Sequence, residues 1–174
     1  MLLIAILYLT GYHKPVMAGI QSLILKTGLF TASPEPDENF GTTRYSLQLN
    51  NAEGERVWLE QFKGKPIFLN FWASWCAPCI AEMPEIAEAA KATEGNVAFI
   101  LVTVEEDASA AQKLLDRKNI DLPLYTLAGS RPEELKSNAV PTTFVVDRQG
   151  TIVYKREGMA SYGTQEFINW LKAL

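Results

Sequence analysis

The sequence has few of the residues that build metal centres and disulfide frameworks. Its 174 residues include two cysteines and a single histidine, His13. A closed structural His/Cys metal site needs about four such ligands, so two cysteines and one histidine are too few to build it. With no third cysteine, the chain also has no structural disulfide framework. The two cysteines can therefore pair only with each other.

Basic residues are not concentrated in any stretch of the chain. Sixteen lysines and arginines are interspersed with twenty acidic residues, which gives a net charge of −4. Proteins that bind nucleic acid usually present a basic stripe that neutralises phosphates, so we expect no nucleic-acid partner. The sequence also has no phosphate-binding loop and no Ser/His/Asp set that would compete with the cysteines as a catalytic centre.

The N-terminal residues are apolar, but they contain no uninterrupted run long enough for a simple spanning helix. The apolar stretches 1–9 and 16–30 are separated by a polar segment that includes Lys14 and Pro15. A spanning helix needs about 20 mostly apolar residues, and a lysine at mid-bilayer costs about 2.5–3.5 kcal/mol. We interpret residues 1–30 as an uncleaved membrane anchor or interfacial segment.

Other interpretations of this segment stay open. They are a signal peptide cleaved near the small-residue pattern at 16–18, a short membrane stub followed by an interfacial helix, and a soluble helix that covers the domain. Residues 31–39 contain two prolines and three acids, a composition typical of a linker. The folded domain is expected to span residues 40–174.

The rest of the chain alternates between strand-like and helix-like patterns. Apolar runs and alternation predict strands at 44–49, 56–59, 66–72, 97–104, 122–127, 142–146 and 151–156. Helical spacing predicts helices at 79–92, 108–118, 131–137 and 164–174. This order, with a hairpin at each end of the strand series, indicates an α/β fold with a central mixed sheet covered by helices on both faces.

The two cysteines stand in the run Trp72-Ala73-Ser74-Trp75-Cys76-Ala77-Pro78-Cys79, with C-x-x-C spacing. Cysteines at this spacing can close a small disulfide ring. A predicted strand precedes the motif and a predicted helix follows it. We therefore expect Cys76 at the exposed start of a helix and Cys79 one turn further along. A zinc site would need additional cysteines or histidines, so we interpret the pair as a two-electron dithiol switch.

The order of elements, the position of the dithiol and the later Val140-Pro141-Thr142 together resemble the thioredoxin fold. The amino-acid sequence of residues 69–79 is similar to that of the TlpA/ResA-like thiol-disulfide oxidoreductases. The resemblance covers residues 40–174 and includes a helix-strand insertion between Asp107 and Leu127. It implies a protein-disulfide reductase whose redox group is the cysteine pair, with no cofactor and no metal.

Each residue of the motif then has an expected role. A thiolate at a helix N-terminus is stabilised by free amide groups and the helix dipole, so Cys76 is the predicted nucleophile and Cys79 the resolving cysteine. Ala77 and Pro78 lie between the sulfurs and are expected to help set the reduction potential. Trp75 is predicted to offer an apolar edge to partner proteins.

Glu82 follows Cys79 by three residues, about one helical turn. From spacing alone it is either the proton acceptor for Cys79 or an exposed glutamate with no function. The TlpA/ResA-like proteins carry an acid at the matching position, and Asn70 stands where thioredoxin itself has a buried aspartate. On this resemblance we assign Glu82 as the proton acceptor, with a pKa that rises if the side chain is buried.

The resemblance also places Val140 and Pro141 opposite the dithiol. On sequence alone a trans proline in a turn is expected, because only about 5–6% of X-Pro bonds in folded proteins are cis. In the thioredoxin fold the matching proline is cis, and the backbone of the residue before it pairs with an extended partner chain. Val140 and Pro141 are therefore predicted to bind the substrate protein.

Three remaining features have simple structural interpretations. The acidic run 105–107 precedes a predicted helix, where negative charge is favourable, and is interpreted as a solvated cap. Pro84, inside the active-site helix, is expected to kink it. Trp58 and Trp170 are expected to lie in or near the core.

The leading hypothesis is a membrane-tethered oxidoreductase on the extracytoplasmic side of a bacterial membrane. The resemblance implies that it reduces disulfides of exported proteins, in cytochrome c maturation or more generally, with electrons from a membrane dithiol donor. One alternative is a thiol peroxidase, although the residues around Cys76 lack the threonine or serine and proline framework of a peroxide-reactive cysteine. Another is a non-catalytic binding or chaperone module with a structural C-x-x-C.

Overall fold

The computed structural model describes residues 20, 32–33, 40–43 and 45–174. Apart from Ile20, the predicted anchor lies outside the described residues. In the part of the chain that is described, no helix combines the length and the apolar character needed to cross a membrane. Most of the predicted linker also lies outside these residues. Its Ala32 is buried, and the Ala32 N–H donates to the Ser161 carbonyl oxygen at 3.2 Å.

Within the described residues, seven strands form one mixed sheet. They are β1 (Gln48–Asn50), β2 (Arg56–Trp58), β3 (Ile67–Trp72), β4 (Ala98–Thr103), β5 (Leu124–Leu127), β6 (Thr142–Val146) and β7 (Ile152–Glu157). Their order across the sheet is β2-β1-β5-β4-β3-β6-β7. Strands β3, β4 and β5 are parallel, whereas β6 runs antiparallel to β3. The antiparallel pairs β1–β2 and β6–β7 are the two predicted hairpins.

Helices connect the strands within residues 45–174. The α-helices are α1 (Ala77–Ala92), α2 (Ser109–Arg117) and α3 (Gln165–Ala173), and short 3-10 helices span Leu59–Phe62 and Glu133–Leu135. Helix α1 continues through Pro84. The predicted helix at 131–137 is a single 3-10 turn, because Pro132 and Lys136 on either side of it have extended backbone angles. Helix α2 with β5 forms the predicted helix-strand insertion.

The sheet separates two clusters of buried side chains. Phe68 belongs to one cluster and Leu69 to the other, as the alternation of a strand requires. All three α-helices contribute to the first cluster. The two crossovers that link the parallel strands step in the same direction across the sheet, so right-handed connections place α1 and α2 on one face. The 3-10 helices cover the second face through Leu59 and Leu135.

An aromatic group holds α3 against the sheet. The Phe167 ring centroid lies 6.3 Å from that of Phe68 and 5.2 Å from that of Tyr162. Thr164 caps the helix, because its hydroxyl oxygen accepts a hydrogen bond from the Phe167 N–H at 3.3 Å. The loop between β7 and α3 is thereby fixed next to α1, which carries the cysteines.

The prediction that Trp58 lies in or near the core is wrong. Strand β2 is at the edge of the sheet, where its alternation turns Val57 toward the second cluster and leaves Trp58 41% exposed. An apolar residue in a short strand does not show from sequence whether the strand will be central or at the edge. Trp170 is half-buried and packs against the first cluster, which agrees with a position near the core.

Candidate active site

The two cysteines are joined in a disulfide at the start of α1, with their Cα atoms 5.3 Å apart. Cys76 is the N-cap residue, and its Sγ accepts a hydrogen bond from the Cys79 N–H at 3.3 Å. Cys79 is completely buried, whereas Cys76 is 5% exposed. Cys76 is therefore less exposed than predicted, although of the two cysteines it is the one with some exposed surface. Ala77 and Pro78 form the first turn of α1, where the missing N–H of proline leaves no hydrogen bond unmade.

A tight turn leads from β3 into α1. The Cys76 N–H donates to the Ala73 carbonyl oxygen at 3.1 Å, which closes a four-residue turn over Ala73–Cys76. Trp72, the last residue of β3, is completely buried, whereas Trp75 on the outer side of the turn is 56% exposed. The turn thus presents an apolar surface directly beside the reactive sulfur.

The Val140–Pro141 peptide bond is cis, as the resemblance implies. Strand β6 begins immediately after it, and the antiparallel pairing of β6 with β3 brings Thr142 opposite Phe71, near the end of β3 that leads to the cysteines. The Cys76 Sγ lies 3.7 Å from the Val140 carbonyl oxygen. The segment before β6 therefore lies across the site from α1.

Arg131 holds the loop that leads to this segment. Its guanidinium donates to the Ser137 hydroxyl at 2.9 Å and to the Ser137 carbonyl oxygen at 3.2 Å, and it lies 4.8 Å from the Phe71 ring centroid. The Ser137 hydroxyl in turn donates to the Ala139 carbonyl oxygen at 3.4 Å. The sequence predicts no role for Arg131, because nothing local indicates that it stacks on a residue of β3.

Glu82 is completely buried on α1, one turn after Cys79. Its Oε1 accepts a hydrogen bond from the Asn70 side-chain amide at 2.9 Å, and its Oε2 accepts one from the Ala160 N–H at 3.3 Å. Burial is the main cause that raises the pKa of Glu82 to about 8, and the charge of Glu85 raises it further. The two hydrogen bonds oppose this shift. The group can therefore take up or release a proton close to neutral pH.

The partners of Glu82 were not foreseen from the sequence. Asn70 was noted only as a replacement for aspartate, although the alternation of β3 puts it on the same face as Phe68 and therefore under α1. The same Asn70 nitrogen also donates to the Thr143 hydroxyl at 2.9 Å. The contact with Ala160 has no sequence signature, because it uses a backbone amide in the loop after β7. Tyr162 in this loop is completely buried, and burial together with the charge of Glu82 raises its pKa well above the ordinary value.

The acidic run 105–107 does not act as one solvated cap. Asp107 does support the start of α2, since its Oδ1 accepts a hydrogen bond from the N–H of Ser109, the first residue of the helix, at 2.9 Å. Glu105 turns the other way and binds Ser74 in the turn before Cys76, with its carboxylate accepting from the Ser74 N–H at 2.8 Å and the Ser74 hydroxyl at 2.7 Å. The interpretation of the run as a cap is therefore wrong for Glu105.

A signal for this contact was present in the sequence. Strands β3 and β4 are parallel, with Trp72 opposite Thr103. Ser74 and Glu105 each follow that pair by two residues, so the same register brings them together. Parallel strands that are adjacent in the sheet end at the same edge, and residues just past those ends meet there.

The structure brings together at the end of β3 most of the residues that the sequence singled out. These are Trp75, Cys76, Ala77, Pro78, Cys79, Val140 and Pro141, with Glu82 below them in the interior. No group of three or more His, Cys, Asp or Glu side chains that could hold a metal occurs in the described ranges. The redox group that the site offers is the Cys76–Cys79 disulfide itself.

Comparison with known proteins places this site in a family. The sequence profile of the Redoxin family matches residues 35–166. The chain is 30% identical over 147 residues to the thiol-disulfide oxidoreductase ResA of Bacillus thuringiensis subsp. konkukian, across 82% of this chain and 83% of that protein. The residues matched by the family profile include the cysteine pair and the Val140–Pro141 segment.

Solved structures agree with the fold. The thioredoxin domain of a thiol-disulfide oxidoreductase from Bacteroides vulgatus has a TM-score of 0.63 at 18% identity, covering 78% of this chain and 96% of that chain. The exposed lipoprotein thioredoxin of Streptococcus pneumoniae has a TM-score of 0.57 at 26% identity, covering 73% of this chain and 98% of that chain. The predicted thioredoxin fold is thus confirmed. The chain belongs to the Redoxin family, as a homologue of the ResA thiol-disulfide oxidoreductases.

Proposed function

We propose that this protein is a membrane-tethered thiol-disulfide oxidoreductase that acts outside the cytoplasm and reduces disulfide bonds of exported proteins. The observation that carries this function is the Cys76–Cys79 disulfide at the start of α1, with Cys76 Sγ 3.7 Å from the Val140 carbonyl oxygen beside the cis proline. The homology to ResA oxidoreductases supports the activity. The two cysteines exchange electrons with the partner without an added cofactor.

The reaction begins in the reduced protein. The Cys76 thiolate attacks one sulfur of the partner's disulfide, that bond breaks, and the other partner sulfur leaves as a thiolate that takes up a proton. Cys79 loses its proton to ionised Glu82 and attacks Cys76 Sγ. The second partner sulfur then leaves, and the Cys76–Cys79 disulfide remains. Two electrons have passed to the partner, which departs as a dithiol.

The surface around Cys76 serves to bind the partner in this proposal. An extended partner segment lies along Val140 and Pro141, whose backbone faces the dithiol. Trp75 packs against the partner's apolar atoms. Ala77 and Pro78 place no charge between the two sulfurs and contribute to the reduction potential through the first turn of α1.

Membrane attachment is assigned to residues 1–30, joined to the domain by the linker at 31–39. The apolar composition of this segment supports the assignment, as does similarity to a pneumococcal thioredoxin described as an exposed lipoprotein. The oxidised protein is then returned to the dithiol form by a membrane dithiol carrier. Its clients are exported cysteine proteins, with cytochrome c in maturation as one such class.

The reduction potential of the Cys76–Cys79 pair tests the direction of electron flow. The protein is equilibrated with graded dithiol and disulfide buffers, and the oxidised fraction is measured by mass spectrometry after alkylation. We expect a potential at or below about −230 mV, in the range of reductants. A value above about −180 mV, toward the −120 mV typical of a strong periplasmic oxidant, would contradict the proposal.

Trp75→Ala is expected to impair the reaction with proteins while leaving the fold intact. The side chain is 56% exposed, so its loss should change the free energy of unfolding by no more than about 0.5 kcal/mol. An aromatic residue at the centre of a contact surface is often worth more than about 1 kcal/mol of binding, so kcat/KM for insulin disulfides should fall about tenfold. The turnover of a small aromatic disulfide, measured in parallel, should change by less than about twofold because the small substrate does not span the turn.

Trp58→Ala is the matched control for this experiment. Trp58 is also an exposed tryptophan, at 41%, but it lies on β2 at the far edge of the sheet. Its replacement should leave insulin reduction unchanged. Equal losses in the two variants would show that Trp75 has no special part in partner binding.

Neither alternative function gains support from these observations. A non-catalytic module does not account for the homology to ResA oxidoreductases over 82% of the chain. A thiol peroxidase is disfavoured because the residues around Cys76, Trp75-Cys76-Ala77-Pro78-Cys79, lack the threonine or serine and proline framework of a peroxide-reactive cysteine.

A further inference from the structure

Glu105 makes an unusual set of contacts for a residue outside the cysteine motif. Its Oε1 accepts a hydrogen bond from the Ser74 hydroxyl at 2.7 Å, and its Oε2 accepts one from the Ser74 N–H at 2.8 Å. The Thr103 hydroxyl donates to the same Oε2 at 2.9 Å. Both oxygens of the Glu105 carboxylate thus accept hydrogen bonds from Ser74, which fixes the orientation of Ser74 as well as its position.

Ser74 is a central residue of the turn that presents the reactive sulfur. The turn is closed by the hydrogen bond from the Cys76 N–H to the Ala73 carbonyl oxygen at 3.1 Å. Its outer side is open to solvent, as the exposure of Trp75 shows. In the oxidised protein, Cys76 is also tied to Cys79 through the disulfide. In the reduced protein that covalent link is gone, whereas the hydrogen bonds of Ser74 to Glu105 do not depend on it.

We propose that Glu105 is a positioning residue for the thiol-disulfide exchange reaction. Through Ser74, it fixes the turn that places Cys76 as the N-cap of α1 and Trp75 beside it. The inference rests on the proposed function only for the identity of the reaction, since the clamp would serve Cys76 in either direction of electron flow. Loosening it lowers the fraction of time in which the sulfur is aligned for in-line attack on a disulfide.

The negative charge of Glu105 strengthens this clamp. Three donors converge on its two oxygens, from the backbone and hydroxyl of Ser74 and from Thr103. A glutamine of nearly the same shape makes only uncharged hydrogen bonds, and its amide group meets the Ser74 hydroxyl only when that hydroxyl turns to accept. Glu105→Gln should therefore weaken the clamp on Ser74 while changing side-chain volume very little.

The test is a double-mutant cycle between Glu105 and Ser74. Glu105→Gln, Ser74→Ala and the double variant are compared with the wild type in kcat/KM for insulin disulfides, with dithiothreitol as the electron source. We expect each single variant to lose about tenfold, and the double variant to lose clearly less than the hundredfold product, because both changes act on one clamp although the hydrogen bond from the backbone N–H of residue 74 to Glu105 survives in Ser74→Ala. Glu106→Gln, the same change at the neighbouring exposed residue, serves as the control and should stay within about twofold of the wild type.

A second readout keeps the test independent of the direction of the reaction and of any loss of folding in Glu105→Gln. Alkylation of Cys76 by iodoacetamide in the reduced protein requires no partner disulfide. Ser74→Ala retains the charge of Glu105, so a loosened turn should move the pH midpoint of alkylation upward by about 0.5 unit as the thiolate loses alignment with the N-terminus of α1. Urea unfolding of each variant identifies any variant whose loss of rate reflects loss of the fold.

Two results would overturn the role of Glu105. One is a double variant that loses about a hundredfold, the product of the two single losses, since the residues would then act separately. The other is an alkylation profile of Ser74→Ala that coincides with the wild type. Failure of the wild-type protein to reduce insulin would instead count against the proposed direction of the reaction, because the alkylation experiment would still report on the clamp.

Discussion

Replacing Cys79 with serine is expected to trap the protein in a covalent complex with its partner. Cys76 would still attack a partner disulfide, but the mixed disulfide could no longer be resolved from within the protein. Cys76 is 5% exposed and Cys79 is completely buried, which supports the expectation that Cys76 makes the attack. The reduced Cys79→Ser variant is mixed with a disulfide-bonded protein and run on a non-reducing gel. The gel should show a one-to-one adduct that dithiothreitol cleaves.

Cys76→Ser is the companion variant. It should form no adduct with the same partner, and its rate of disulfide reduction should fall by at least about a thousandfold, because the nucleophile is gone. An adduct that forms with Cys76→Ser and not with Cys79→Ser would reverse the roles of the two cysteines. If Cys76→Ser still reduced disulfides, Cys76 could not be the nucleophile and the proposed active site would be wrong.

Glu82 is expected to make the stability of the oxidised protein depend on pH in a direction opposite to that of most carboxylates. Its pKa is raised to about 8 in the folded protein, mainly by burial, from an ordinary value of 4.5. Between these two values the folded chain keeps a proton that the unfolded chain releases. The stabilisation is therefore fully present below about pH 4.5, declines as pH rises, and is lost once pH exceeds about 8.

The measurement is the difference in unfolding free energy between the wild type and Glu82→Gln, by urea titration at several pH values from 4 to about 9. Glutamine does not titrate, so other groups cancel in the difference. We expect the wild type to lose stability relative to the variant with a slope approaching about 1.4 kcal/mol per pH unit. Glu88→Gln, an exposed glutamate on the same helix, should show the pH dependence of the wild type.

A flat difference between wild type and Glu82→Gln would mean that Glu82 titrates like an ordinary carboxyl group in the folded protein. Glu82 would then be ionised at neutral pH, and it could accept the proton of Cys79 without a raised pKa. A rising difference would contradict burial as the dominant influence, since the hydrogen bonds from Asn70 and Ala160 would then outweigh it.

The parts of the fold that could be predicted from sequence are those with local patterns. The strand before Cys76 and the helix after Cys79 follow from an apolar run and from helical spacing, and the elements appear in the predicted order. The cis bond before Pro141 could be expected only from the resemblance, because a single X-Pro sequence favours trans. Local patterns did not show that α1, α2 and α3 all pack against the same buried cluster; for α1 and α2 this follows from the order of strands across the sheet.

The parts that could not be predicted depend on which segments meet in space. Trp58 was misplaced because its strand is at an edge. The contact of Glu82 with Ala160 uses a backbone amide, which every residue except proline carries. Glu105 was misread as a helix cap because a run of acids before a helix has a sufficient local explanation, and only the register between β3 and β4 points to Ser74.

Strand β3 borders both β4 and β6, and the cysteine motif, the cis proline and the Glu105 clamp are all attached to these three strands or to the segments that continue them. The outer half of the sheet, made of β5, β1 and β2, supplies none of the atoms described at the disulfide. We therefore expect changes of length in the hairpin between β1 and β2 to leave the sulfur geometry unchanged. A protein arranged in this way can alter its outer half for a new partner or a new attachment without rebuilding its redox centre.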